Sequence, residues 1–132
     1  MAKSRTVEAI SNLRAISSAQ QIYFLTNGKY TADFRLLDIS LPGTLSDDGT
    51  TLKTKLYTYA LNANPNDSLP HAASNSGATH PSLYCQSKQN CIKLYCRALI
   101  DRNLTNKVCI SLGGVYINSN AWNNYYNIGY TK

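Results

Sequence analysis

One stretch constrains this chain more than any other: residues 3 to 26 repeat their apolar side chains at the period of an α-helix. Ala9, Leu13, Ile16 and Tyr23 recur on one side, flanked by Ile10 and Phe24, while Lys3, Ser11, Arg14, Ser18 and Gln21 fall opposite. Gln20 is the one polar residue on the apolar side. At 1.5 Å per residue the helix is about 35 Å long, so the remaining residues must supply a surface broad enough to bury its apolar stripe. The helical pattern is already running within a few residues of Met1, and Ser4 is the best capping candidate there. We therefore expect the chain to begin inside a longer helix. The helix ends at Asn27-Gly28, where Gly supplies the left-handed backbone that closes it.

Residues 29–53 form a connection with turn chemistry at Pro42-Gly43 and Asp47-Asp48-Gly49. Phe34, Leu36, Leu37, Ile39 and Leu41 are expected to pin it to the body. From Lys55 to Leu61 the residues alternate, which places Tyr57, Tyr59 and Leu61 on one face of a strand. Residues 62–81 read as a long loop, rich in Pro, Asn and Ser, and His71 and His80 fall in it as solvated side chains. Ser82 to Cys85 and Cys91 to Ala98 read as a hairpin. Val115 to Lys132 ends in Trp122, Tyr125, Tyr126 and Tyr130, the signature of a buried final strand. The expected fold is α+β: one domain over residues 1–132, with the long helix (3–26) on an antiparallel sheet of about four strands. The sheet lies within residues 54–98, and a disulfide-bounded C-terminal region covers residues 96–132.

The four Cys all lie between residues 85 and 109. Zinc sites favour close CxxC pairs, and none is present, so the pattern reads as two disulfides formed in an oxidising compartment. Strand parity assigns them. Ile92, Leu94, Cys96 and Ala98 share an apolar face that should meet the core, whereas Cys91 points outward. Cys85 opposite Cys91 across the turn can bond on the outer face. That leaves Cys96 for Cys109, pinning a short helix in which Leu104, Val108 and Leu112 are spaced to face inward, with Asn103 as cap and Gly113 as stop. Disulfides without an export signal or any run of ~20 apolar residues are reconciled if an N-terminal segment precedes this sequence, and we expect one.

The formal net charge is +6, but the basic residues are scattered singly, as at Lys29, Arg35, Lys53, Lys88 and Lys132, and they form no nucleic-acid-binding signature. No catalytic constellation is present: no GxSxG elbow, no phosphate-binding loop and no HExxH pair. Glu8 is the only Glu and shares a helix face with Arg5. We expect no catalytic residues, no cofactor and no bound metal, with Asp47 and Asp48 serving a turn in preference to a calcium site. Asn66-Asp67-Ser68 and Asn103-Leu104-Thr105 match the N-glycosylation triplet.

Residues AKSRTVEAISNLRAISSAQQIYFLTNGKYT resemble the segment of type IV pilins and pseudopilins that follows their hydrophobic N-terminus. YTADFRLLDISLPGT resembles their helix-to-sheet connection, and LYCRALIDRNLTNKVCISLGG their C-terminal disulfide-bounded region, which again implies Cys96 with Cys109. The resemblance implies a structural subunit that is anchored in the inner membrane through the missing segment, processed, and handed by the pilus assembly machinery into a surface filament. Subunits there self-associate through the N-terminal helix. It leaves two alternatives, a type II secretion pseudopilin and a minor pilin acting as an adhesive or DNA-binding module. Two bridges favour the pilin.

Overall fold

The protein is described from a computed structural model covering residues 2–77, 79–86 and 91–129; the side chains of Ala2 and Lys3 are not part of that description. Helix α1 (Ala2–Asn27) lies along the chain's sheet, and Gly28, at φ +73°, closes it. A single 3-10 turn (Phe34–Leu36) follows, capped by Asp33, whose carboxylate accepts from the Arg35 amide. The strands are β1 (Thr44–Leu45), β2 (Thr51–Lys53), β3 (Tyr57–Ala60), β4 (Ala63–Asn64), β5 (Asp67–Ser68), β6 (His71–Ser74), β7 (Ser82–Cys85), β8 (Leu94–Leu99), β9 (Val115–Ser119) and β10 (Asn123–Ile128). Helix α2 (Asn103–Ser111) stands between β8 and β9.

Eight strands pair in the order β1-β2-β3-β6-β7-β8-β10-β9, each pair antiparallel, and β4-β5 forms a separate small hairpin. The sheet is therefore twice as wide as the roughly four strands the alternation reveals. The difference lies in β1 and β2 of the connection, in β9 of the tail, and in residues 62–81, which read as a loop but contain β6, joining β3 to β7. Strand β6 (HAAS) buries only Ala72 on its core side, and Ala and Ser carry too little hydrophobic contrast for alternation to show.

The core sits between α1 and the sheet. Ala9, Ile10, Leu13 and Ile16 are buried against Leu52, Tyr57, Tyr59, Leu83, Leu94 and Cys96. Tyr23 and Phe24, expected on the same stripe, are half-buried: this last part of α1 is covered by the connection instead, with Phe24 and Tyr30 rings 4.6 Å apart. In the connection, Phe34 and Leu37 are buried, whereas Leu36 is exposed.

Gln20 is buried because the connection needs it. Its Nε2 donates to the Thr31 carbonyl (2.6 Å) and its Oε1 accepts from the Thr31 amide (3.2 Å), so one side chain satisfies both backbone groups of a buried residue. Gln20→Leu fills the same space but strands two buried polar groups. It is expected to cost about 2–4 kcal/mol in chemical denaturation. A loss under about 0.5 kcal/mol would show that water replaces the amide.

Candidate functional site

The structure joins Cys85 to Cys91 (Cα–Cα 5.1 Å) and Cys96 to Cys109 (Cα–Cα 5.7 Å). All four Cys are buried. The first bridge lies on the core side of the sheet, not the outer side that strand parity assigns. Parity assumes a regular strand from residue 91. Instead Cys91 takes φ +51° before β8 begins, which turns its side chain inward and leaves Ile92 exposed. Arg14 of α1 ties this turn to the helix, its Nε donating to the Cys91 carbonyl at 3.3 Å. The rest of that turn, residues 87–90, lies outside the described residues.

The second bridge clamps α2 to β8. Helix α2 buries Thr105, Val108 and Cys109, while Leu104, expected to face inward, is 70% exposed. Asn103 lies within the helix and Arg102 is its N-cap, without a side-chain cap. Gly113, at φ +84°, follows its end. The residue that sequence reasoning missed is Asn106. Its Nδ2 donates to the carbonyls of Leu99 and Arg102, both at 2.8 Å. Its Oδ1 accepts from Asn124 (2.9 Å) and from the Tyr126 hydroxyl (2.7 Å). All four bonding positions of that amide are used, and they tie α2 to the β8 end and to β10. Nothing in the spacing of a lone Asn signals this.

The tail folds as the hairpin β9-β10. Tyr126 and Ile128 are buried in β10, which lies inside the sheet, whereas every residue of β9 is exposed. Trp122 is 75% exposed at the turn, contrary to the expectation of a wholly buried aromatic tail. There the Asn120 Oδ1 accepts from the Trp122 and Asn123 amides. Tyr130 lies outside the described residues.

A cavity of about 390 Å³ opens between the first turns of α1 and the β2-β3 turn, lined by Arg5, Glu8, Asn12, Lys55, Tyr57 and Tyr59 among others. Its tyrosines act structurally. The Tyr57 hydroxyl donates to the Pro81 carbonyl (2.9 Å), and burial pushes its pKa to about 12; Tyr59 accepts from Asn12 and is likewise raised by burial. Asp48 spends its carboxylate on the turn: Oδ1 accepts from the Ser46 and Thr50 hydroxyls and the Thr50 amide, which holds it at about 2. Among the described residues no group of three or more His, Cys, Asp and Glu is placed to hold a metal ion. Of the glycosylation triplets, Asn66 and Asn103 are exposed, but their partners Ser68 and Thr105 are buried.

Neither His is a solvated loop residue. His71 sits in β6 and stacks on Tyr84 at 5.1 Å; His80 is buried, its Nδ1 2.8 Å from the Thr79 hydroxyl. Burial lowers both pKa values, with Arg97 adding to the effect at His71 and Arg5 at His80. A His held neutral in the fold but free to take a proton when unfolded, at about 6.5, contributes stability above that pH and loses it as pH falls. The melting temperature is therefore expected to drop between pH 7.5 and pH 5, a window above the range in which free carboxylates titrate. His80→Gln should flatten the slope. A flat profile in the parent protein would contradict this reading.

A family model, type IV pilin-like G and H, matches residues 6–111, the span from the first turns of α1 through α2. The chain belongs to the type IV pilin-like G and H family. The comparisons with curated proteins and with solved structures find no match. A pilin-like family is structural and non-enzymatic, and its members associate into filaments. In this pilin-like chain no described helix is long and apolar enough to cross a membrane. The long helix, the antiparallel sheet and the disulfide region together are the architecture of the pilin-like domain.

Proposed function

We propose that this chain is a structural subunit of a type IV pilus filament at the cell surface, incorporated by the pilus assembly machinery. The observation that carries this reading is the side of α1 turned away from the sheet. Val7, Ile22 and Leu25 are 46%, 61% and 84% exposed, and with the exposed small residues Ser11 and Ala15 between them they recur every three or four residues or a multiple of it. Such spacing puts them on one side of the helix. Three large apolar side chains left in water among the small and polar residues of that side fit packing against other helices, and a pilin-like family self-associates into filaments in general.

The test uses the full-length protein in a piliated bacterium. Ile22→Glu with Leu25→Glu should leave the domain's stability within about 0.5 kcal/mol of the parent, because both sites are exposed. The same variant should be missing from sheared filaments. Normal incorporation would overturn the proposal. The pseudopilin alternative predicts a calcium-dependent rise in melting temperature, and the pilin reading predicts none.

A further inference from the structure

The face of the sheet opposite α1 and α2 carries a row of aromatic rings remote from the exposed side of α1. On four successive strands, β6, β7, β8 and β10, His71, Tyr84, Tyr95 and Tyr125 form a row of rings with centroids 5.1, 5.6 and 5.7 Å apart. The register places His71 opposite Tyr84 and Tyr84 opposite Tyr95; Tyr125 lies opposite Arg97. Their strand neighbours Ala72, Leu83, Cys85, Leu94, Cys96 and Tyr126 point into the core, so these rings point away from it. All four are half-buried.

Two observations about charge bear on what this face meets. The eight strands of the main sheet contain no Asp or Glu. Arg97 lies on the row with its guanidinium carbon 5.0 Å from the Tyr84 ring centre, and among the described residues no carboxylate pairs with it.

We propose that this uncovered face, centred on His71, Tyr84, Tyr95, Tyr125 and Arg97, binds an acidic polysaccharide. Charge complementarity requires an anionic occupant, and ring geometry selects among anionic polymers. Neighbouring rings are in contact with one another along the row: His71 and Tyr84 are stacked at 26°, Tyr84 and Tyr95 tilted at 41°, Tyr95 and Tyr125 meet edge to face at 88°, and Arg97 lies over Tyr84. Single-stranded nucleic acid needs open ring faces for its bases. What this row offers is tyrosine edges and hydroxyls, a guanidinium fork suited to carboxylates, and the side-chain amide of Asn127 opposite Tyr95. Hydroxyl- and carboxylate-bearing sugars match those groups. The inference goes beyond the filament reading, and its failure would leave that reading untouched.

The experiment measures retention of the protein on polygalacturonate, on neutral dextran and on single-stranded DNA, at about 50 and about 200 mM salt. Binding to polygalacturonate that persists at the higher salt, exceeds binding to DNA, and is absent on dextran is the expected result. Arg97→Gln should weaken it about tenfold, in line with one charge-assisted hydrogen bond. Tyr84→Phe with Tyr95→Phe keeps the rings and removes only hydroxyls, and should weaken it severalfold. Lys107→Gln, on α2 and off this face, removes the same charge and should change it less than twofold. Equal loss for Arg97→Gln and Lys107→Gln would reduce the effect to net charge and overturn the proposal. So would equal or tighter binding to DNA, or no retention at the higher salt.

Discussion

Replacing Cys96 and Cys109 together by Ala is expected to cost about 3 kcal/mol of stability, which makes this one of the two largest effects foreseen for the domain. The bridge closes a segment with a sequence separation of 13, and in the chain-entropy model a loop of that size restricts the unfolded chain by about this amount. Its partners are 0% exposed, so the lost sulfurs also leave packing defects on both β8 and α2. Cys85 and Cys91 are 6 apart, and the same model assigns their loop about 2 kcal/mol. Guanidinium denaturation of the two double variants should therefore rank them, with the Cys96/Cys109 variant unfolding at the lower concentration. The reverse order would mean that the buried turn tied down by Arg14, and not loop length, dominates. Because the Asn106 amide still holds α2 to β8 and β10, the domain should remain folded at 25 °C without the bridge. Amide exchange should then rise more in α2 than in α1.

The second large effect concerns Leu13. It is 0% exposed midway along α1, in the core cluster that includes Tyr59, Leu83, Leu94 and Cys96. Leu13→Ala removes three carbons from a site walled by a helix and a wide sheet. Neither can shift to fill the void, so a cost of about 3–5 kcal/mol is expected. Leu25→Ala, the same substitution on the same helix at an 84% exposed position, should change stability by less than about 0.5 kcal/mol. Urea denaturation of the pair measures the difference directly. If the two costs were within about 1 kcal/mol of each other, α1 would not be seated on the sheet as described.

The paired comparison also separates the two sides of the helix by function. Leu13 belongs to the fold of one subunit. Under the proposed function, Leu25 belongs to the assembly of many. On that reading, a change at Leu13 should lower the amount of folded protein, whereas a change at Ile22 or Leu25 should spare the fold and remove filaments.

The sequence alone determined the features that depend on local repetition. The 3.6-residue period of Ala9, Leu13 and Ile16 specifies α1, the alternation of Tyr57, Tyr59 and Leu61 specifies β3, and the glycines at 28 and 113 mark helix ends because few other residues adopt positive φ. Only the tertiary structure decided the width of the sheet, since β6 is recruited by pairing with β3 and β7 and not by its own weak pattern. The inward turn of Cys91, the four-way use of Asn106 and the burial of Gln20 have the same origin. Each answers a buried group on another segment: Thr31 beyond the end of α1 for Gln20, Cys85 across the turn for Cys91, and β10 for Asn106. A period within one element cannot encode which group of another segment will need a partner.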